Sequence, residues 1–228
     1  MKKLLFKSMR WCMLLCMSLA ASVCVNASTE GKILCVFGDS YVKNHRCPVE
    51  ETWHYKAAQQ LGMEYANFGR NGSSVLYDRT KDGFGEAMTD RWKMLPEDID
   101  CLLIIAGHND ASLIPDEAGL ADFRKALGSM LAEMKQSYPD TKIGYVLPWS
   151  VDRGYFAEVI EIIKQVCAAQ DVPVFNAEDA GGIKVNDDKF RAKYFQNKGV
   201  KDTAHLNAAG HDLITAKGAE FIASLMGE

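Results

Sequence analysis

A chain of 228 residues, 48% hydrophobic and 25% charged, has the composition of a folded globular protein with material for one sizeable core, which excludes a disordered or low-complexity chain. Its formal charge of −4 supplies no basic face for phosphate contacts, so a nucleic-acid partner is excluded too.

In chain order, Lys2, Lys3, Lys7 and Arg10 precede the uncharged run WCMLLCMSLAASVCV, and VNA offers small-residue cleavage after Ala27. This is the pattern of a secretory signal peptide over residues 1–27, because the apolar run is shorter than the roughly 20 residues needed to span a bilayer. A lipoprotein signal at Cys24 fits less well, since the branched Val23 precedes it. The mature protein is then expected as one domain over 28–228, exported to the periplasm or the extracellular space, with no stable membrane span. Cleavage removes the four basic groups and no acidic ones, which takes the charge from −4 to −8. Cys12, Cys16 and Cys24 leave with the signal, while Cys35, Cys47, Cys101 and Cys167 stay.

Strand-like apolar runs follow at 32–38, 63–69, 100–107, 142–149 and 172–177. Helical periodicity separates them near 51–61, 86–95, 117–137 and 155–170, and a last helix is expected over 208–226. Pro115 with Asp116 and Glu117 opens the third helix, and Asn207 is a plausible cap for the last. Such alternation implies a five-stranded parallel sheet covered on both faces, a three-layer α/β/α sandwich. Cys35 and Cys101 lie in apolar strand-like runs and Cys167 on a helix face, so buried thiols are expected. Export permits disulfides, and a Cys35–Cys101 bridge between adjacent strands stays open. The stretch 178–202 reads as irregular, and loops of that length in a compact domain are either functional or solvated surface. Its excess of Lys and Arg could favour an anionic substrate.

Ligands of open parallel α/β sheets gather at the carboxyl ends of the strands. Here those ends hold Gly38-Asp39-Ser40, then Asn67-Phe68-Gly69-Arg70-Asn71-Gly72, then Gly107-His108-Asn109-Asp110, with Asp202-Thr203-Ala204-His205 just before the last helix. Singly each is ordinary: a serine at a strand-to-helix turn can be a cap, and a loop asparagine satisfies local backbone. Jointly they supply a nucleophile, a base, its orienting acid and amide donors, the parts that acyl transfer needs.

The four blocks FGDSY, NFGRNG, GHND and DTAHL, in this order, resemble the SGNH hydrolases, also called GDSL esterases and lipases, over about residues 32–226. The resemblance implies a flavodoxin-like fold and a serine hydrolase without cofactor. It implies Ser40 as nucleophile, His205 as general base, Asp202 as the residue that orients the imidazole, and an oxyanion hole formed by the Ser40 N–H, the Gly72 N–H and the Asn109 side-chain amide. Gly69 competes with Gly72 and is expected to shape the turn. Tyr41 departs from the family pattern, which has leucine there, and is expected to bear on substrate shape.

A phosphate-cradling reading of GRNGSS fails because no Gly-Lys-Ser/Thr follows. The α/β-hydrolase elbow fails because Val42 stands where that motif needs glycine. His108 is expected as a loop histidine beside the site, His211 on a helix surface, and His45 and His54 without an evident partner. No metal-like Cys/His spacing occurs, so no metal is expected. The expected activity is hydrolysis of a small-molecule or glycan ester, O-acetyl carbohydrate among the candidates, through an acyl-enzyme on Ser40. The alternatives are lipase, lysophospholipase or thioesterase chemistry on the same residues, or a non-catalytic binding protein on the same fold. Oligomeric state is not written in the sequence.

Overall fold

The computed structural model describes residues 29–200 and 202–227, so the expected signal peptide lies outside the described residues. The chain runs β1 (Ile33–Gly38), α1 (Ser40–Lys43), α2 (Trp53–Gln60), β2 (Glu64–Gly69), α3 (Met88–Arg91), β3 (Cys101–Ile105) and α4 (Asp110–Leu113). It continues through α5 (Glu117–Ser137), β4 (Lys142–Leu147), α6 (Phe156–Ala169), β5 (Val174–Asn176), α7 (Ala177–Gly181), α8 (Asp188–Tyr194) and α9 (Ala208–Met226). The five strands are parallel, in the order β2-β1-β3-β4-β5.

Alternation along the central strands builds the three layers, because successive strand side chains point to opposite faces. Cys35, Phe37, Leu102 and Ile104 join one core with Phe123, Leu127 and Met130 of α5 and Val159 and Ile163 of α6. Leu34, Val36, Leu103 and Ile105 join the other with Trp53 and Ala57 of α2 and Ile214 and Ile222 of α9. Each fully buried aliphatic side chain contributes roughly 1.5–3 kcal/mol. The same alternation settles the open disulfide: Cys101 is level with Leu34 and Cys35 with Leu102, so the two thiols face opposite layers. All four described cysteines are free thiols.

The caps fall where the sequence puts them. Asp116 accepts the Gly119 N–H to start α5, and Asn207 accepts the Gly210 N–H to start α9. The helix expected over 86–95 is shorter, α3 followed by a 3₁₀ turn, Trp92–Met94. The stretch 178–202 is not irregular: it holds the end of α7, all of α8 and a 3₁₀ segment, Gln196–Gly199, with Asn176 and Asp187 as caps. Helices of one or two turns show too little periodicity to stand out in a sequence. Among the described residues no helix is long and apolar enough to cross a membrane.

The strand order reverses between β1 and β3, and the crevice at their carboxyl ends is where such sheets bind ligands. Close approach of the chain there requires glycine: a Cβ on Gly38 would sit 2.1 Å from the Ile105 carbonyl oxygen, and one on Gly69 would sit 2.3 Å from the Lys43 nitrogen.

Candidate active site

Ser40 is the first residue of α1, at the end of β1. Asp39, not Ser40, is the cap: its Oδ1 accepts the Tyr41 N–H at 2.9 Å. That frees the Ser40 hydroxyl, and its Oγ lies 2.8 Å from His205 Nε2. On the far side of the ring, His205 Nδ1 is 2.9 and 2.8 Å from the two Asp202 oxygens. Asp202 also accepts the Ala204 and His205 backbone N–H groups, at 3.1 and 2.9 Å, so one turn of chain sets both side chains. Partial burial alone would raise the Asp202 carboxyl, but the bonds from His205 and Ala204 outweigh it and hold the acid down at about 2. An ionised Asp202 fixes the proton on Nδ1 and leaves the Nε2 lone pair facing the Ser40 hydroxyl.

Asn109, at the end of β3, is buried and fully oriented. Arg153 donates to its Oδ1 at 3.0 Å, which identifies the oxygen, and Nδ2 donates one hydrogen to the Ser73 carbonyl at 2.9 Å. The second Nδ2 hydrogen remains. Gly72 takes a left-handed φ of +71° under Phe84, whose ring a Cβ would meet at 2.3 Å, so only glycine fits. Neither the Ser40 N–H nor the Gly72 N–H donates to a described residue. Gly69 differs: it is paired in β2 and its N–H already bonds Asn67 Oδ1 at 3.0 Å.

Behind these donors lies a buried network that the sequence did not reveal. Arg91 donates to the Gly38 and Phe68 carbonyls at 2.7 and 2.8 Å and to Ser73 Oγ at 3.1 Å, stitching β1, β2 and the second block together. Its burial lowers the guanidinium to about 10. Asp110 accepts from Ser74 Oγ at 2.6 Å and from the Val75 and Leu76 N–H groups, both at 3.0 Å, joining the second block to the third. The signal for Asp110 was present in GHND, but its partners, 34 to 36 residues away, were not.

The histidines depart most from expectation. His108 lies on the loop between β3 and α4, as expected, but it is buried, with Nδ1 3.2 Å from Asp39 Oδ2. Burial raises Asp39 to about 8 and pushes His108 well down, so both shifts favour a neutral pair. His211 is buried rather than on a surface, 3.2 Å from Asn44 Oδ1. His54 has partners, Tyr65 Oη at 2.8 Å and Thr52 Oγ1 at 3.0 Å from its Nδ1. His45 stacks on the His205 ring, centroids 4.4 Å apart and 11° from parallel.

Tyr41 is also buried rather than facing a substrate. It is sandwiched between His108 and Trp149, at 4.1 and 3.9 Å, and meets His205 edge-on at 5.8 Å. Trp149 Nε1 in turn donates to the Ala204 carbonyl at 2.6 Å. The segment before Asp202 does related work: Gln196 N–H bonds the His205 carbonyl at 2.9 Å, and Phe195 bridges Leu206. Arg191 of that segment is engaged with Asp188 and the Val185 carbonyl, which leaves less basic charge free for an anion than the sequence suggested.

The sequence matches the GDSL-like lipase/acylhydrolase family over residues 36–213. A search of curated proteins finds no match. Solved structures of similar fold include a protein from Lactobacillus plantarum, 21% identical with a TM-score of 0.68, covering 86% of this chain and 98% of that one. Another, assigned to the GDSL-like lipases, comes from Bacteroides uniformis; it is 21% identical with a TM-score of 0.60, covering 85% of this chain and 96% of that one. Est24, a carbohydrate acetylesterase from Sinorhizobium meliloti, is 20% identical with a TM-score of 0.64, covering 85% of this chain and 99% of its own.

Proposed function

The chain belongs to the GDSL-like lipase/acylhydrolase family and is an ester-hydrolysing enzyme, and from that premise we propose that it is an exported serine esterase working through an acyl-enzyme on Ser40. The observation that carries the reading is the unbroken chain Ser40 Oγ, His205 Nε2, His205 Nδ1, Asp202, with contacts of 2.8 Å at each end.

Ser40 Oγ attacks the ester carbonyl carbon while its proton passes to His205 Nε2, and the imidazolium is stabilised by ionised Asp202. The carbonyl oxygen becomes an oxyanion held by the Ser40 N–H, the Gly72 N–H and the remaining Asn109 Nδ2 hydrogen. Collapse breaks the bond to the leaving alcohol, which takes the proton back from His205. Water then repeats the sequence on the acyl-Ser40 ester: its proton goes to His205, the acid leaves, and Ser40 recovers its own. No step calls for a cofactor.

For the substrate, the reading is a short acyl ester on a small molecule or glycan, with O-acetyl carbohydrate first. The fold likeness to a carbohydrate acetylesterase supports it. Export rests on the signal-like residues 1–27. A panel of p-nitrophenyl esters from acetyl to decanoyl, run beside acetylated xylan and acetylated chitooligosaccharides, tests this. Preference for acetyl and release of acetate from a glycan are expected, and a preference for decanoyl would overturn the substrate assignment.

A further inference from the structure

We propose that His45 and His205 together form a binding site for a divalent transition cation, zinc by its donor chemistry, and that filling it switches the enzyme off. No metal-like spacing announces the site, since 160 residues separate the two histidines; the fold brings them together. Ligand atoms of His45, Asp202 and His205 all lie within 4.8 Å of one another. Two imidazole nitrogens on one tetrahedral zinc, each bonded at about 2.0–2.1 Å, stand about 3.3 Å apart, so the two rings, stacked with centroids 4.4 Å apart, must tilt to share an ion.

His45 can supply that shift. It lies on the turn after α1, half-buried, and among the described residues its ring makes no hydrogen bond, only the stack on His205. Tilting it out of the parallel stack turns its lone pair toward the one on His205 Nε2, at the cost of that stacking and of the Ser40 Oγ contact that an ion on Nε2 displaces. His205 is already arranged as a ligand. Its Nδ1 is held by the Asp202 carboxylate at 2.8 Å, the carboxylate–histidine pairing that fixes tautomer and orientation in zinc sites and leaves Nε2 as the donor. Two imidazoles with a neighbouring carboxylate and hydroxyl suit zinc or copper(II) rather than magnesium or calcium, which want oxygen ligands.

The effect on activity rests on the reading of His205 as the base. An Nε2 lone pair committed to zinc cannot accept the Ser40 proton, so a filled site removes the base without touching the oxyanion donors.

Zinc chloride is titrated into the EDTA-treated full-length protein, with calorimetry for binding and p-nitrophenyl acetate turnover for the rate. Each variant is referred to its own metal-free rate. The expected result is one zinc per chain, inhibition with the same midpoint as binding, recovery on adding EDTA, and no effect of magnesium. His45→Asn, which suits the left-handed backbone of that turn, and His45→Gln should each weaken binding and inhibition by about tenfold or more. Cys47→Ser, two residues away, should leave both in place. Absence of binding, equal binding in both His45 variants, or loss of binding in Cys47→Ser would overturn the site. His45-dependent binding that spares the rate would overturn the switch and count against His205 as base. A chain that binds zinc through His45 but hydrolyses no ester keeps the site and fails the hydrolase reading instead.

Discussion

The two halves of the candidate site are built differently. The nucleophile half, Ser40 with Asn109, grows from β1 and β3, neighbouring strands near the middle of the sheet, and is backed by buried Asp39, Arg91, His108 and Asp110. The base half, Asp202 with His205, sits on a turn outside the sheet, fixed by its own Asx bonds, by Trp149 on the Ala204 carbonyl and by Gln196 on the His205 carbonyl. The contrast fits what each half would do in the proposed mechanism. Oxyanion donors help only if they are fixed before charge develops, so they belong on rigid, buried elements. A base needs its ring held within reach of both the serine proton and the leaving oxygen, and a turn fixed by local bonds does that. Both His45 and His205 are half-buried there, and their rings stack.

The comparison breaks first at His205. His205→Gln removes the proton acceptor, and kcat/KM for p-nitrophenyl acetate should fall by about 10⁴-fold or more; a loss of only a few-fold would place the base elsewhere.

Next in size is a difference in stability with pH. Burial depresses His54 to about 3 and pushes His108 and His211 well down, while Asp39 is raised to about 8. As pH falls through about 6.5, the unfolded chain takes up protons on three histidines that the folded chain refuses, so stability is lost toward acid. Asp39 works the other way, since the folded chain keeps its proton where the unfolded chain has lost it. On the nucleophile half Asp39 therefore offsets His108, and the loss toward acid comes chiefly from His54 on α2 and His211 on α9. Urea unfolding should lose about 3 kcal/mol between pH 7 and 5, and His54→Gln should remove more than half of that loss. An unchanged slope in His54→Gln would contradict the buried neutral histidine.

Asn109→Ala tests the rigid half directly. Loss of one oxyanion donor should cost about 10²–10³ in kcat with KM little changed, read by steady-state kinetics. Comparable kcat would remove Asn109 from the oxyanion hole. The smallest effect belongs to the tether of the base. Trp149→Phe keeps the ring stack on Tyr41 but deletes one hydrogen bond, about 1 kcal/mol and so a few-fold in kcat/KM. A loss as large as that of Asn109→Ala would mean that the base half is as finely held as the nucleophile half.

What was legible in the sequence divides along the same line. All five strands and both long helices, α5 and α9, were readable, because buried strands give short apolar runs and these helices carry Asp116 and Asn207 as caps. The convergence of Ser40, His205 and Asp202 was readable too, since each sits in a short block at one edge of the sheet and the three are in contact. Arg91, Arg153 and the partners of His54, His108 and His211 were not, because, Thr52 beside His54 apart, those contacts join segments between 11 and 167 residues apart. The short helices α7 and α8 were hidden for a simpler reason: one or two turns leave no period to count.

The central claim is that Ser40 is a nucleophile activated by His205, and fluorophosphonate labelling followed by intact-mass and peptide mapping tests it most directly. The account predicts one adduct per chain, carried by the peptide containing Ser40, absent in Ser40→Ala and formed far more slowly in His205→Gln. An adduct that persists in Ser40→Ala, or forms at full rate in His205→Gln, would contradict it.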